Sequence, residues 1–272
     1  MEKGNKKGAK RAPPSTSTSN GGSTSWEHLA QWYDGWVGEE GSKHHRRLAI
    51  PTVLELLDLQ PGEKVIDLGA GSGVLAPFVH ATRAIYTGVD LSPSLLGYAR
   101  RYHGSQGRFL AGDSRYLDRV IGPEGGSFDA GVFLLSIQDM NPLEEVLKSA
   151  AWALRTGGRL VILMTHPCFR VPRQSGWGWD EGRKLRFRRV DRYLTALAVP
   201  LKPYQGGKAG VSRSFHRPLE DYINGLGNCG LLVDCFREVP GYSLPQAKLD
   251  SKADQTAREE IPLFLGIRAR KL

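Results

Sequence analysis

The sequence predicts an α/β fold built on a doubly wound, mostly parallel sheet. Three observations carry that expectation. Short apolar runs alternate with helical patterns along the chain, as βαβ units require. A glycine cluster, Gly69, Gly71 and Gly73, follows the first run directly. Acidic residues, Asp67, Asp90 and Asp113, then mark the ends of the first three runs.

The elements follow in order. Residues 1–25 are Lys, Gly, Ser, Thr, Asn and Pro with almost no apolar side chain. They have too little to bury to offset their ordering entropy, and a disordered basic tail is expected. From Trp26 the apolar residues Leu29, Ala30, Tyr33 and Trp36 recur at helical spacing. A second helix is expected from Ser42 to Leu57, bent or started by Pro51. Pro61-Gly62 turns the chain into the first strand, Val65-Ile66-Asp67-Leu68. A helix from Ser72 to His80 should follow the glycines. Ile85 to Val89 reads as the second strand and ends in Asp90. Ser92 as N-cap and Pro93 at the first helical position open the next helix. Phe109-Leu110-Ala111, Phe128 to Leu135 and Leu160 to Met164 are the third to fifth strands. The helix between the last two starts at Pro142 and stops by Gly157-Gly158. Near the end, a helix from Pro218 to Leu226 precedes strands at 231–236 and 261–267, expected to pair antiparallel.

Composition narrows the function classes. No run of eighteen apolar residues exists, so no transmembrane helix is expected. The N-terminus lacks the apolar core of a secretory signal. Three cysteines, Cys168, Cys229 and Cys235, fit a reducing cytoplasm better than a disulfide framework. No His/Cys spacing reads as a zinc site, and no metal is expected. The net charge is +9, and it is unevenly placed. Residues 1–25 hold five Lys or Arg and one Glu, and residues 170–217 hold twelve against three acids. The rest of the chain is therefore mildly acidic.

The glycine turn is the chemical centre. Glycine tolerates φ > 0 and lets a ligand approach bare backbone, and a following helix presents free N–H groups there. The dinucleotide fingerprint needs a third small residue that is Val74 here, so it fails. What stands instead is Asp67-x-Gly69-x-Gly71-x-Gly73, with Asp90 about twenty residues on and Asp113 after the third strand. This resembles motif I and the acidic strand ends of the class I S-adenosylmethionine (SAM)-dependent methyltransferases. The segment after the fourth strand, Ser136-Ile137-Gln138-Asp139, looks like the small-molecule, ubiquinone- and menaquinone-biosynthesis branch. The resemblance covers about residues 60–165 well and 215–270 more loosely.

The resemblance implies a Rossmann-like seven-stranded sheet with one antiparallel strand, an N-terminal helical cap, and an insertion after the fifth strand. It implies one methyltransferase domain over 26–272, with SAM as cofactor. The glycine loop would pack against the methionine half of SAM. Asp67 would fix its amino group, Asp90 its ribose hydroxyls, and Asp113 its adenine amino group. Leu91 and Ser114 flank those contacts. Tyr33 of the cap would reach the methionine carboxylate or sulfonium. Ser136, Gln138 and Asp139, at the carboxyl end of the fourth strand, would face the transferred methyl.

The insertion, 166–217, is too long for a plain connection and too aromatic for a disordered one. It contains Trp177, Trp179, Phe187, Tyr193, Leu194 and Tyr204, and Leu185 to Val190 alternates apolar with basic residues. It reads as a lid that chooses the substrate. His166 at its start and His216 at its end are the candidate proton acceptors, since histidine titrates near neutral pH. Pro167-Cys168 also suggests a cytosine-C5 nucleophile, but nothing else in the chain resembles those enzymes. The expected acceptor is a small, partly aromatic or apolar molecule. The alternative is an RNA methyltransferase that uses the basic 170–217 insertion as its phosphate surface.

Overall fold

The computed structural model describes residues 26–201, 212–242 and 251–272. The expected tail, 1–25, and Tyr204 lie outside the described residues.

The cap opens the described chain. A short turn of helix at Glu27–Leu29 leads into α1 (Ala30–Val37), and α2 (Ile50–Leu57) follows. The second helix begins with a wide turn at His45–Ala49, and Pro51 sits in the first turn of α2, where its missing N–H is harmless. Then comes strict alternation: β1 (Lys64–Leu68), α3 (Ala76–Ala81), β2 (Ile85–Asp90), α4 (Pro93–His103), β3 (Arg108–Ala111), α5 (Leu117–Ile121), β4 (Phe128–Leu134), α6 (Leu143–Ala153) and β5 (Leu154–Thr165). Two hairpins fill the insertion: β6 (Ser175–Asp180) with β7 (Leu185–Val190), and β8 (Leu197–Pro200) with β9 (Arg213–His216). The chain ends with α7 (Leu219–Asn228), β10 (Leu231–Pro240), α8 (Lys252–Glu260) and β11 (Pro262–Lys271).

Seven strands form one sheet in the order β10-β11-β5-β4-β1-β2-β3. Strands β1 to β5 pair parallel, and β11 runs antiparallel to both its neighbours. This is the doubly wound sheet with one reversed strand that the sequence predicts. The order turns back between β1 and β4, which places a crevice at their carboxyl ends. Strands β1 and β4 are buried along nearly their whole length, because helices cover both faces. One core layer carries Phe128, Phe133, Leu147, Ile162 and Tyr222, and the other carries Ile50, Val53, Val65, Leu75 and Val161.

Three details depart from the expectation. Helix α3 starts at Ala76 rather than Ser72, because Ser72 to Leu75 complete the glycine turn. Strand β5 begins at Leu154, directly after α6, with Gly157 at φ 74 inside it. Helix α8 has no counterpart in the sequence reading. It is polar apart from buried Ala257, and a Ser251/Asp254 capping box starts it.

Buried Arg159 on β5 locks the base of the sheet. It donates to Glu63 from Nη1 at 2.9 Å and from Nη2 at 2.5 Å, and to the carbonyls of Leu57 and Asp58. Its hydrogen bonds hold the Glu63 carboxyl below the usual range. Replacing it strands a half-buried carboxylate, so Arg159→Leu should destabilise the protein by about 3 kcal/mol at pH 7. The lowered Glu63 pKa makes that contribution complete above the ordinary glutamate range and lost as pH falls through the folded value. Urea melts of both proteins at pH 7 and pH 3.5 check this: the gap should narrow at the lower pH.

Candidate functional site

The crevice is a cleft of about 740 Å³ counted out to its mouth. Of the residues expected to hold SAM, Tyr33, Gly69, Gly71, Asp90, Leu91, Asp113, Ser114 and Ser136 all line it. They come from the cap, from the ends of β1, β2 and β3, and from the turn after β4.

The glycines differ in what they do. Gly69, Gly71 and Gly73 have φ of 76°, 56° and 77°, which favours glycine. A Cβ at Gly69 would fall 2.6 Å from Ser136 Cβ, and one at Gly71 would sit 3.3 Å from the Tyr33 hydroxyl. These two let the walls of the cleft close on the loop. Gly73 lies behind it, where a Cβ would meet the Phe109 ring at 2.8 Å. Its role is to pack the turn on the sheet.

Asp90 joins two turns. Its Oδ2 accepts from Gly71 N at 2.8 Å and its Oδ1 from Ser92 N at 2.8 Å. The Leu91 N–H bonds the same carboxylate, whose two oxygens carry two lone pairs each. Two adjacent acceptors suit a pair of neighbouring hydroxyls. Asp67, also expected to hold SAM, does not line the cleft and is 1% exposed. Tyr86 donates its hydroxyl to Asp67 Oδ2 at 2.6 Å, and Asp67 Oδ1 has no partner. An orphaned buried oxygen at this depth asks for a donor from a ligand or an ordered water. Burial pushes Asp67 up to about 7, against the Tyr86 bond and with help from the Asp90 charge.

Asp113 is more occupied than the sequence suggests. It accepts from Arg115 N at 3.0 Å, and the Arg115 guanidinium clasps it through Nε at 3.0 Å and Nη2 at 2.6 Å. Burial raises its pKa, but the Arg115 bonds outweigh that and hold it below the usual range. Arg115 itself lines the cleft.

The turn after β4 completes the wall. Ser136 Oγ donates to Leu68 O at 2.6 Å, which ties the turn to the end of β1. Gln138 does not line the cleft. Its Nε2 donates to Leu135 O at 2.6 Å, and its Oε1 is buried without a partner. Asp139 does line it, and Trp26 Nε1 donates to its Oδ2 at 3.1 Å across 113 residues of sequence. Ser214 of β9 bonds it as well. Burial pushes Asp139 up to about 7 against those hydrogen bonds and the nearby Arg217. Tyr33 stands among three carboxylates: burial first, then Asp90, Asp67 and Asp139, raise its hydroxyl pKa.

The two histidines stand elsewhere. His166 is 3% exposed, donates from Nε2 to Glu238 at 3.1 Å, and accepts from Cys168 N at Nδ1, 3.2 Å. Both ring nitrogens are engaged and burial lowers its pKa, so it is held neutral in one tautomer. His216 is 5% exposed and donates from Nε2 to the Tyr193 carbonyl at 2.7 Å. Neither lines the cleft, so the geometric support for a histidine base is missing. The long strand β5 carries His166 away from the crevice, while His216 ends the short β9 with its ring turned to the Tyr193 carbonyl.

Sequence reasoning read Trp26 only as part of a helix and did not mark Arg115, Met140 or Asn141. No local signal marks Trp26, since its partner Asp139 is remote in sequence. The lid also divides in two. Strand β9 packs against the 137–139 turn, whereas no residue of 166–201 lines the cleft.

An enclosed cleft with a glycine cradle, a diol-sized pair of acceptors and several raised carboxylates fits a cationic nucleoside. Comparison with known proteins agrees. Residues 65–158 match the model of a methyltransferase domain family. A demethylmenaquinone methyltransferase of Tropheryma whipplei is 34% identical over 129 residues, 46% of this chain and 49% of that protein. A demethylmenaquinone methyltransferase of Beutenbergia cavernae is 29% identical over 72% of this chain and 74% of its own length. The chain thus spans about half the length of the first of these. A SAM-dependent methyltransferase of Mesorhizobium loti superposes with a TM-score of 0.63 at 25% identity, covering 86% of this chain and all of that one. By fold, the chain is similar to class I SAM-dependent methyltransferases. The match at 65–158 takes in β1 to the start of β5.

The raised Asp67 pKa has a stability consequence. The unfolded chain loses this proton near pH 4, the folded protein near pH 7, so the buried acid makes stability fall across that window. Asp67→Asn should therefore match the parent in denaturant melts at about pH 4 and exceed it at pH 8, while binding SAM more weakly.

Proposed function

We propose that the protein transfers the SAM methyl group to a small, partly aromatic or apolar acceptor by in-line displacement. The observation that carries the reading is the Asp90 carboxylate, which lines the cleft beside the Gly69–Gly71 cradle. Bound SAM supplies a methyl group on a sulfonium, which is a good leaving group. The residues of the chain then have three tasks.

The first is to bind and orient. Asp90 takes the ribose hydroxyls, Asp67 Oδ1 the amino group directly or through water, and the Gly69–Gly71 backbone the chain between them. Holding donor and acceptor in line supplies much of the acceleration in such reactions. The second is to exclude water. Trp26, Leu91, Leu95, Leu134, Leu135 and Met140 give the cleft its apolar wall, which also suits an apolar acceptor. The third is proton transfer. Asp139 takes the place the sequence reading gave to His166 and His216. It lies in the cleft with a pKa near 7, matched to accept a proton from an acceptor O–H at neutral pH.

Similarity to demethylmenaquinone and ubiquinone-biosynthesis methyltransferases supports a small acceptor. The RNA reading rests on the basic insertion. Its β6–β7 hairpin is absent from the cleft lining, and Lys184, Arg186 and Arg189 are already paired with Glu181, Asp254 and Asp191. Support therefore stays with the small acceptor.

Calorimetric titration with SAM and S-adenosylhomocysteine tests the core of this. Both should bind, and Asp90→Ala should weaken them roughly tenfold to a hundredfold by removing two hydrogen bonds; no binding to the parent overturns the reading. For Asp139, single-turnover methyl transfer should rise with pH to a plateau, with a midpoint near 7. Asp139→Asn should flatten that profile while S-adenosylhomocysteine affinity stays close to the parent's. A profile that keeps its midpoint in the variant refutes the assignment.

A further inference from the structure

The outer hairpin of the insertion, β6–β7, is left unexplained by methyl transfer. No part of it lines the cleft. A lone two-stranded hairpin is barely stable in water, and this one is fastened along one face only. On that face Arg170, Arg186 and Arg188 lie over the Trp177 ring, at 5.2, 5.6 and 5.3 Å from its centroid. Arg188 donates to Phe169 O at 2.8 Å, and Arg186 pairs with Asp254 of α8. These contacts fix the hairpin to the body of the protein.

The opposite face is open. Leu185, Phe187 and Arg189 alternate along β7 and face Asp180, Gly178 and Gly176 of β6. The two glycines leave the face uncovered, and the Phe187 ring lies flat over Gly178, where a Cβ would fall 2.4 Å from it. Leu185 is 40% exposed, Phe187 43%, and Leu194 beyond β7 is 73% exposed. Trp179, opposite Arg186, belongs to the fastened face and keeps its indole N–H on Glu181 at 2.6 Å. Residues 170–192 hold eight Lys or Arg and three acids. Among the described residues, the side chains of Arg173, Arg183 and Arg192 meet no carboxylate.

We propose that this hairpin docks the protein on an anionic lipid surface, with Leu185, Phe187 and Leu194 entering the headgroup–acyl boundary and Arg173, Arg183 and Arg192 among the headgroups. The mixture of side chains selects this partner. Aromatic and basic groups alone would serve single-stranded RNA, where bases stack on rings. Leucines at the exposed positions gain nothing from stacking but gain from entering an acyl layer. Free arginines beside an apolar patch meet both halves of a negatively charged bilayer surface. The inference goes beyond the methyl-transfer reading and does not depend on it.

The test uses the full chain and vesicles of phosphatidylcholine, alone or mixed with phosphatidylglycerol. The parent should co-sediment with the mixed vesicles and not with the neutral ones, and brominated acyl chains should quench its tryptophan emission. Leu185→Ser with Phe187→Ser, and separately Arg183→Glu with Arg192→Glu, should each cut partitioning about tenfold or more. S-adenosylhomocysteine affinity should be unchanged in both, which shows that they fold. Variants that partition like the parent, equal binding to neutral vesicles, or retention by single-stranded RNA without vesicle binding would each overturn the proposal.

Discussion

The cleft depends on one carboxylate at the end of a central strand. Asp90 reaches back to Gly71 N and forward to Ser92 N, so a single side chain sets the distance between the glycine turn and the start of α4. Ser92 in turn caps α4 by accepting from Leu95 N at 3.2 Å. Glu27 of the cap takes the hydroxyls of Ser92 and Ser94 and the Ser94 N–H at 3.1 Å. A carboxylate at a helix N-terminus is favourable on its own; here it also fastens the cap over the cleft. Asp34 of α1 accepts from Tyr102 at the other end of α4, at 3.1 Å. The cap, the loop and Asp90 therefore form one hydrogen-bonded unit.

That unit concentrates negative charge where water is scarce. Burial raises the pKa of Asp67, Asp90 and Asp139, and their charges raise that of Tyr33 between them. A folded protein gains nothing from such crowding by itself. A cation in the middle would stabilise every one of these groups, and SAM carries two positive centres. The site is thus less favourable empty than filled, which is a common trade at functional sites. Asp113 is different, because Arg115 already neutralises it.

Much of this was legible in the sequence because strands and turns are local. Asp67-x-Gly69-x-Gly71-x-Gly73 specifies its own backbone through φ > 0, and Ser92-Pro93 specifies a helix start whatever lies around it. The order of acidic strand ends was readable for the same reason. What escaped was non-local. Trp26 acquires its meaning from Asp139 on the far side of the sheet. The histidines looked functional because each stands at the end of a strand, yet β5 pairs with β11 and leads His166 to Glu238, away from the crevice. Helix α8 escaped because a helix held by a capping box and a single buried alanine has almost no apolar period to read.

The insertion shows how the same composition can serve two ends of one loop. Both hairpins bring basic residues, but their surroundings separate them. Phe215 and Arg217 flank His216 at the end of β9. Arg217 is buried, stacks on Phe215 at 5.2 Å and donates to Met140 O at 2.7 Å and Asn141 Oδ1 at 2.9 Å. It therefore braces the cleft wall from outside. Arg188, placed on β7, is spent on fixing a hairpin to the fold instead. Counting charge along 170–217 merges these roles into a single basic patch. The hydrogen bonds divide it into a brace for the acceptor end of the cleft and an outward face whose side chains remain free to meet something else.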